Sequence, residues 1–356
     1  MKKCAPFLLP LCLILLFGNC AGIRYITIDT REPSRIDWSP SVASVVVVNN
    51  TVQQPDHIGH DISLPGQPVQ RIRASSDGIA TIYMQALAQF IDEEEFFDRV
   101  LFYHPPLRTD TYFFEEIPLS LSTIATVLRE SGADAIISLD QLIIQTGSRL
   151  SLVEPLRSME LNLEGFPPRA MQVEITTRIT SSIRVYTPML AGVIPTVQYS
   201  DSLVFRALAW SDQDFIELRE YAMRQLVIHA AERMSRVLSP HWETQDRWFY
   251  TTMGARMREG VAFARGGQWE NALERWLLSY TSARRIEKAK AASNVALAYE
   301  MLDDLENALA WATRAHQLFE QHTSTNSLDR RRSLLFKNEL QRRLAVVERL
   351  RNMLEE

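Results

Sequence analysis

Between Tyr25 and Ser239 apolar residues recur with two different periods. Ser44–Asn49 (SVVVVN) is a short unbroken apolar run, the pattern of a strand buried on both faces. Gly78–Ile91 places Ile79, Ile82, Tyr83, Ala86, Leu87 and Phe90 at helical spacing, with Asp77 as the predicted N-cap. Arg99–Tyr103 reads as a second strand, closed by Pro105-Pro106. Ser120–Ser131 reads as a second helix, with Ile124, Val127 and Leu128 on one face and Gly132 as its stop. Ala135–Leu139 is a third strand, extended towards Ile144. Met171–Val185 then alternates, putting Val173, Ile175, Ile179, Ile183 and Val185 on one face and Glu174, Arg178 and Arg184 on the other. Val197–Ala209 alternates too, grouping Tyr199, Leu203, Phe205 and Ala207. Such alternation marks antiparallel strands with one wet face, here joined by a hairpin loop through Pro188 and Pro195. A Pro- and Gly-containing loop is expected over Glu154–Arg169, and a long helix over Asp212–Leu238. The order β-α-β-α-β-β-β-α predicts a mixed α/β sheet domain over residues 44–239.

Residues 245–356 have another texture. Gly260-Val261-Ala262-Phe263 is followed by Gly267-Gln268-Trp269-Glu270-Asn271-Ala272-Leu273. Thirty-six residues on, the skeleton returns as Ala296-Leu297-Ala298-Tyr299 and Asp303-Asp304-Leu305-Glu306-Asn307-Ala308-Leu309. This period and pattern resemble tetratricopeptide repeats. Gly260, Phe263 and Ala272 in one copy and Ala296, Tyr299 and Ala308 in the other occupy the small–aromatic–alanine positions. Ala315 fits a later small position, which Ser279 only approximates. The resemblance implies an all-α domain in which small residues let paired helices approach and the aromatic fills the hole between pairs. Because about three units are needed to bury such a core, flanking helices are expected to complete it. These are a long leading helix, Asp246–Ala264, and a terminal one, Leu328–Leu354. The terminal helix carries eight Arg or Lys between Arg330 and Arg351, read as a solvated capping face or as a contact for anionic head groups or an acidic partner.

The first twenty residues read as an address. Lys2 and Lys3 precede an apolar run, Phe7–Phe17, too short to span a bilayer. Phe17-Gly18-Asn19-Cys20 then resembles a lipobox, which makes residues 1–19 a lipoprotein signal peptide, Cys20 the lipid-bearing first residue and residues 20–43 an anchor and linker. The other reading is ordinary cleavage near Ala21-Gly22 with Cys20 incidental. Each acyl chain would add about 0.8 kcal/mol per buried CH₂, enough together for a permanent anchor. The residues after Cys20 lack the acidic cluster that resembles a surface-export signal, so the expected place is the periplasmic face of the outer membrane.

Composition narrows the chemistry. Cys4, Cys12 and Cys20 are the only cysteines, so the folded part has no disulfide and no thiolate zinc site. A 46% hydrophobic chain with net charge −5 is globular and poorly matched to nucleic acid. His57-x-x-His60-Asp61 is the one metal-like cluster, but its loop setting lacks the helical geometry of a zincin, and no metal or cofactor is expected. No phosphate loop and no G-x-S-x-G elbow is present.

The lipobox, the SVVVVNN phrase, the loop Pro106-Leu107-Arg108-Thr109-Asp110, the Gly132-Ala133-Asp134-Ala135 strand start and the repeat tail together resemble a family of Bacteroidetes lipoproteins. That family supplies no activity or site residues. The α/β half is more loosely similar to small domains of envelope assembly lipoproteins such as the curli secretion factor. The function expected is a non-enzymatic, membrane-anchored scaffold binding a protein partner through the repeats. The alternative is an envelope hydrolase or carbohydrate-processing lipoprotein using carboxylates of the α/β domain.

Overall fold

The computed structural model describes residues 22–105, 107–108, 110–152, 171–187, 196–251 and 254–354. The signal segment, Cys20, the Glu154–Arg169 loop and the connection holding Pro188 and Pro195 lie outside the described residues. In chain order the strands are β1 (Ile23–Glu32), β2 (Ser44–Asn49), β3 (His60–Ser63), β4 (Gln70–Arg71), β5 (Arg99–Tyr103), β6 (Ala135–Leu152), β7 (Met171–Tyr186), β8 (Thr196–Ala209) and β9 (His241–Tyr250). The helices are α1 (Ile79–Glu93), α2 (Leu121–Ser131), α3 (Asp212–Leu238), α4 (Ala255–Arg265), α5 (Trp269–Ser282), α6 (Arg285–Met301), α7 (Leu305–His322) and α8 (Leu328–Leu354). They form two compact units: a mixed-sheet unit built on Pro33–His241, and a helical unit built on the segment up to Glu32 with Trp242–Asn352.

In the sheet unit, β6 is the axis. Its first half pairs in parallel with β2, and β2 with β5. Its second half pairs in parallel with β3, while β7 runs antiparallel along its whole length and β8 along β7. One strand serves two neighbours because a bulge between Leu139 and Gln141 re-aims it where β2 ends. Helices α1 and α3 cover one face, burying Val45, Val47, Leu87, Ile137, Ile183 and Leu226. Helix α2 covers Val46, Val48 and Ile136 on the other, so SVVVVN is buried on both faces as its unbroken run predicts. Ser120 caps α2 by accepting from the Thr123 N–H at 3.1 Å, and Gly132 ends it at φ +63°.

Three local expectations are corrected here. Helix α1 is preceded by Gly78 at φ +72° with no side-chain cap, and Asp77 instead accepts from Gln53. His60, read as a loop residue, opens β3 and is buried. Of the expected anchor and linker, residues 23–43 are built into the fold. Ile23–Glu32 is a strand of the helical unit, and Trp38 lies in the sheet-unit core, donating its indole N–H to Leu238 O at 2.7 Å and meeting Phe97 edge-on.

The helical unit contains two helical hairpins, α4–α5 and α6–α7, and the terminal α8. The turn of each hairpin repeats in conformation. Gly267 and Asp303, both at positive φ (70° and 60°), precede Gln268 and Asp304, both near φ −90°, ψ 74°. Asp304 caps α7 through the Asn307 N–H at 3.1 Å. The expected leading helix, Asp246–Ala264, is replaced by β9, and α4 begins only at Ala255. Arg247 and Phe249 point inward with period 2, and β1 supplies the backbone partners that a helix would have supplied to itself. The two strands run antiparallel, with Thr251 N–H donating to Gly22 O and Thr30 facing Glu243. No helix among the described residues is long and apolar enough to cross a membrane.

Candidate functional site

Helix α6 is buried nearly all round, from Ala289 through Ala298, because β9 as well as its neighbouring helices packs on it. The contact is polar where it must be. Asn294 reads the backbone of Tyr250 twice, accepting from its N–H at 2.7 Å and donating to its carbonyl at 2.9 Å, as a neighbouring strand would. Below it lies a buried charge cluster. Glu300 accepts from Arg247 Nε at 3.0 Å through both oxygens and from Arg343 Nη1 of α8 at 2.6 Å. Arg247 also faces Glu339 at 3.6 Å, and Arg342 joins Glu339 to Glu32 of β1. The Arg342 bond holds the Glu339 carboxyl below its usual range. This surface of the helical hairpins thus holds an extended segment, and that segment is the chain's own β9.

The residues singled out by the repeat pattern are interior. Gly260, Ala272, Ala296 and Ala308 are buried, and Phe263 and Tyr299 pack half-buried against the same core. They shape the helix pairs and leave partner contact to other side chains. One open cleft of this unit, of about 350 Å³, is lined by Trp248 of β9 and Leu335, Phe336 and Glu339 of α8. Leu335 is 64% exposed there and Leu334 beside it 42%.

In the sheet unit, the bulge of β6 places Asp140 at the carboxyl end of β2, where open α/β sheets gather their functional groups. Its Oδ1 accepts from Asn50 Nδ2 at 3.0 Å and Ser138 Oγ at 2.7 Å. Oδ2 faces Arg184 Nη1 at 3.1 Å without hydrogen-bond geometry, and Glu116 lies 3.8 Å from the same guanidinium. Burial pushes the Asp140 carboxyl up, against the pull of Ser138, Asn50 and Arg184, and the charge of Glu116 adds to the rise. Asp140 is 1% exposed, so the cluster ties strand ends together and presents no reactive oxygen. Sequence reading passed over it; the sole signal was one Asp inside the apolar run AIISLDQLII.

The uncovered face of the sheet carries a second feature. Asp61 of β3, Gln145 and Arg149 of β6, and Glu174, Thr176 and Arg178 of β7 line an open cavity of about 440 Å³. Glu174 is held by Arg206 at 2.8 Å. His57 and His60 do not converge: His60 bonds Thr146 Oγ1 at 2.9 Å, and the described residues contain no group of three metal-ligating side chains.

These two units are a mixed-sheet domain and a mainly helical domain that also holds the β1–β9 pair, and the family matches divide the chain close to the same place, the first running on through β9. Residues 42–250 match a family described as a domain of unknown function (DUF8603), and the chain belongs to that family. Residues 258–342 match a second domain of unknown function (DUF6340). No curated protein matches. Among solved structures, a neuraminyllactose-binding hemagglutinin homolog from Helicobacter pylori is 10% identical at a TM-score of 0.26, over 57% of this chain and 91% of its own. A minor lipoprotein from Acinetobacter baumannii is 8% identical at a TM-score of 0.22, over 56% and 98%. Neither likeness is close enough to carry a functional argument.

Proposed function

We propose that this protein is a lipid-anchored envelope scaffold, held through Cys20 on the periplasmic face of the outer membrane, whose helical unit is a tetratricopeptide-type module that binds a protein partner without catalysing a reaction. The observation that carries the reading is the repetition of the hairpins. Equivalent turns at Gly267 and Asp303 stand at the same distance from the small residues Gly260 and Ala296. Asn294 on the second hairpin already grips an extended backbone, the mode of recognition such modules offer. With that surface filled by β9, the partner docks on the cleft of Trp248, Leu335 and Phe336. Photo-crosslinking in intact envelopes tests this. A photoreactive residue at Leu335 is expected to give one discrete protein adduct, and one at exposed Val204 of β8 none. Adducts from Val204 alone would overturn the assignment to the helical unit. The anchor is tested by the mass of the N-terminal peptide, expected to be that of an acylated cysteine.

The competing reading, a hydrolase or carbohydrate-processing protein, rests on Asp61 and Glu174 lining one cavity of a size that admits a small ligand. A sugar polymer that protects Thr176 and Arg178 from hydrogen exchange, and is cleaved by the intact protein but not by Glu174→Gln, would replace the scaffold reading.

A further inference from the structure

The first described residue, Gly22, stands two positions after Cys20, so no more than about 7 Å of chain separates it from the lipidated residue. Whatever surrounds Gly22 therefore lies at the bilayer if Cys20 is acylated. Gly22 is tied down by the Thr251 N–H at 2.9 Å and shares a cavity of about 250 Å³ with Tyr25, Tyr250, Lys290, Asp329 and Arg332. Asp329 knits this end together, accepting from the Tyr250 hydroxyl at 3.1 Å and facing Lys290 at 3.7 Å and Arg332 at 3.8 Å. Gly22 thus sits at the end of the helical unit where α6 and α8 begin.

That end is basic beyond what its acids neutralise. Asp329 is shared by two cations, and Glu320 is taken by Arg330 at 2.7 Å. Arg24, Arg284, Arg285 and Arg331 are exposed and make no ion pair among the described residues, and Glu287 is an exposed acid of the same helix start. Next to them in the chain stand large apolar side chains in water: Tyr25 (57% exposed), Ile286 (38%) and Leu328 (63%). A chain of net charge −5 that concentrates free arginines around an exposed Tyr, Ile and Leu beside its anchor point has the composition of an interfacial surface. Arginines meet phosphate, and the apolar side chains reach the acyl boundary.

We infer that the end of the helical unit around Gly22, with Arg24, Arg284, Arg285 and Arg331 and the apolar Tyr25, Ile286 and Leu328, is a second membrane contact that docks on anionic phospholipid. It fixes the orientation of the helical unit on the bilayer where the lipid alone would leave a swivel. The inference rests on the anchor at Cys20, and the test separates the two.

An acylated Cys20 has no free thiol and the rest of the mature chain has no cysteine, so one introduced cysteine accepts a fluorophore uniquely. Asn326→Cys reports this end, and Glu306→Cys reports the far end of α7, about 27 Å away by helix rise. The processed full-length protein is reconstituted in phosphatidylcholine vesicles with or without phosphatidylglycerol, each carrying a head-group quencher. The expected result is at least about threefold stronger quenching at residue 326 than at 306 with phosphatidylglycerol, and a clearly smaller ratio without it, where the anchor alone acts. The triple charge reversal R284E/R285E/R331E, at exposed positions, is expected to reduce the ratio in anionic vesicles to that seen without phosphatidylglycerol. Equal quenching at both positions, or a difference indifferent to lipid charge, overturns the contact. If the N-terminal mass shows no acyl group, the same protein is added to preformed vesicles. Charge-dependent binding lost in the triple variant then sustains the surface and refutes the anchor, and absence of binding refutes both.

Discussion

The indole of Trp276 fills the space that a side chain on Gly260 would need. A Cβ at position 260 would lie 2.5 Å from Trp276 Cδ1 and closer still to Nε1, while the indole N–H donates to Met257 O at 3.3 Å. Neighbouring helices α4 and α5 meet here with ring against backbone, and the fully buried tryptophan cannot swing away. Gly260→Ala is therefore expected to cost about 1–3 kcal/mol by overpacking. Thermal unfolding followed by circular dichroism checks it. The same substitution on a Trp276→Phe background should cost clearly less, since the smaller ring relieves the clash; equal costs in both backgrounds would show that the ring is not the obstacle.

Glu300 is the one carboxylate that both Arg247 and Arg343 grip directly, and its side chain is fully buried. Glu300→Ala leaves two guanidinium groups with no carboxylate but the more distant Glu339 on Arg247, and is expected to cost about 3–5 kcal/mol. Arg343→Met keeps the Arg247 pair and should cost much less. Urea midpoints rank the two. A loss of hydrogen-exchange protection at Tyr250 in Glu300→Ala, and not in Arg343→Met, would place the damage at the β9 contact.

What could be read from the sequence follows the range of the interaction that decides each element. Asp212–Leu238, Arg99–Tyr103 and the SVVVVN strand are decided by local periodicity, and their observed limits are those predicted. The spacing of Gly260, Phe263 and Ala272 with their counterparts is local too. Strands β1 and β9 are not. Thr30 and Glu243 meet across 213 residues of sequence, and Trp248, Phe249 and Tyr250 suit a buried helix face as well as a strand. Asp140 was illegible for the same reason. Its partners Asn50 and Arg184 come from distant segments, and only their convergence makes a buried carboxylate tenable.

Arg184 is the cation that Asp140 and Glu116 share. Arg184→Met should strand a buried carboxylate at neutral pH and cost about 3–5 kcal/mol. Burial already raises the Asp140 carboxyl, and losing its cation raises it further. A carboxyl raised in the folded state contributes stability that is present below its unfolded pKa and lost as pH rises through the folded value. The variant is therefore expected to regain part of its deficit relative to the parent as pH falls from 7 towards 5. Denaturant midpoints for both proteins across that range decide it, and a constant deficit would mean that Asp140 is not the group left uncompensated.

His60 sets an opposite pH dependence in the same unit. It is 1% exposed, and burial first, then the charge of Arg219, lowers its pKa from 6.5, outweighing the opposing pull of Asp56 and Asp61. The neutral ring is the form the fold accommodates, paired through Nδ1 with Thr146 Oγ1. Because the folded pKa lies below the unfolded one, the unfolded chain binds the proton more readily at mildly acidic pH. The contribution of His60 is thus complete above about pH 6.5 and is lost as pH falls from there through the folded value. His316 in the helical unit is shifted in the same direction, so the parent's slope alone is not diagnostic. The difference between the parent and His60→Gln isolates His60. Gln can retain the bond to Thr146 and does not titrate, so the variant should lose about 1 kcal/mol at pH 8 and progressively less against the parent at pH 6 and 5. Urea midpoints at these pH values measure it, and parallel curves would show that the folded protein protonates His60 as easily as the unfolded chain does.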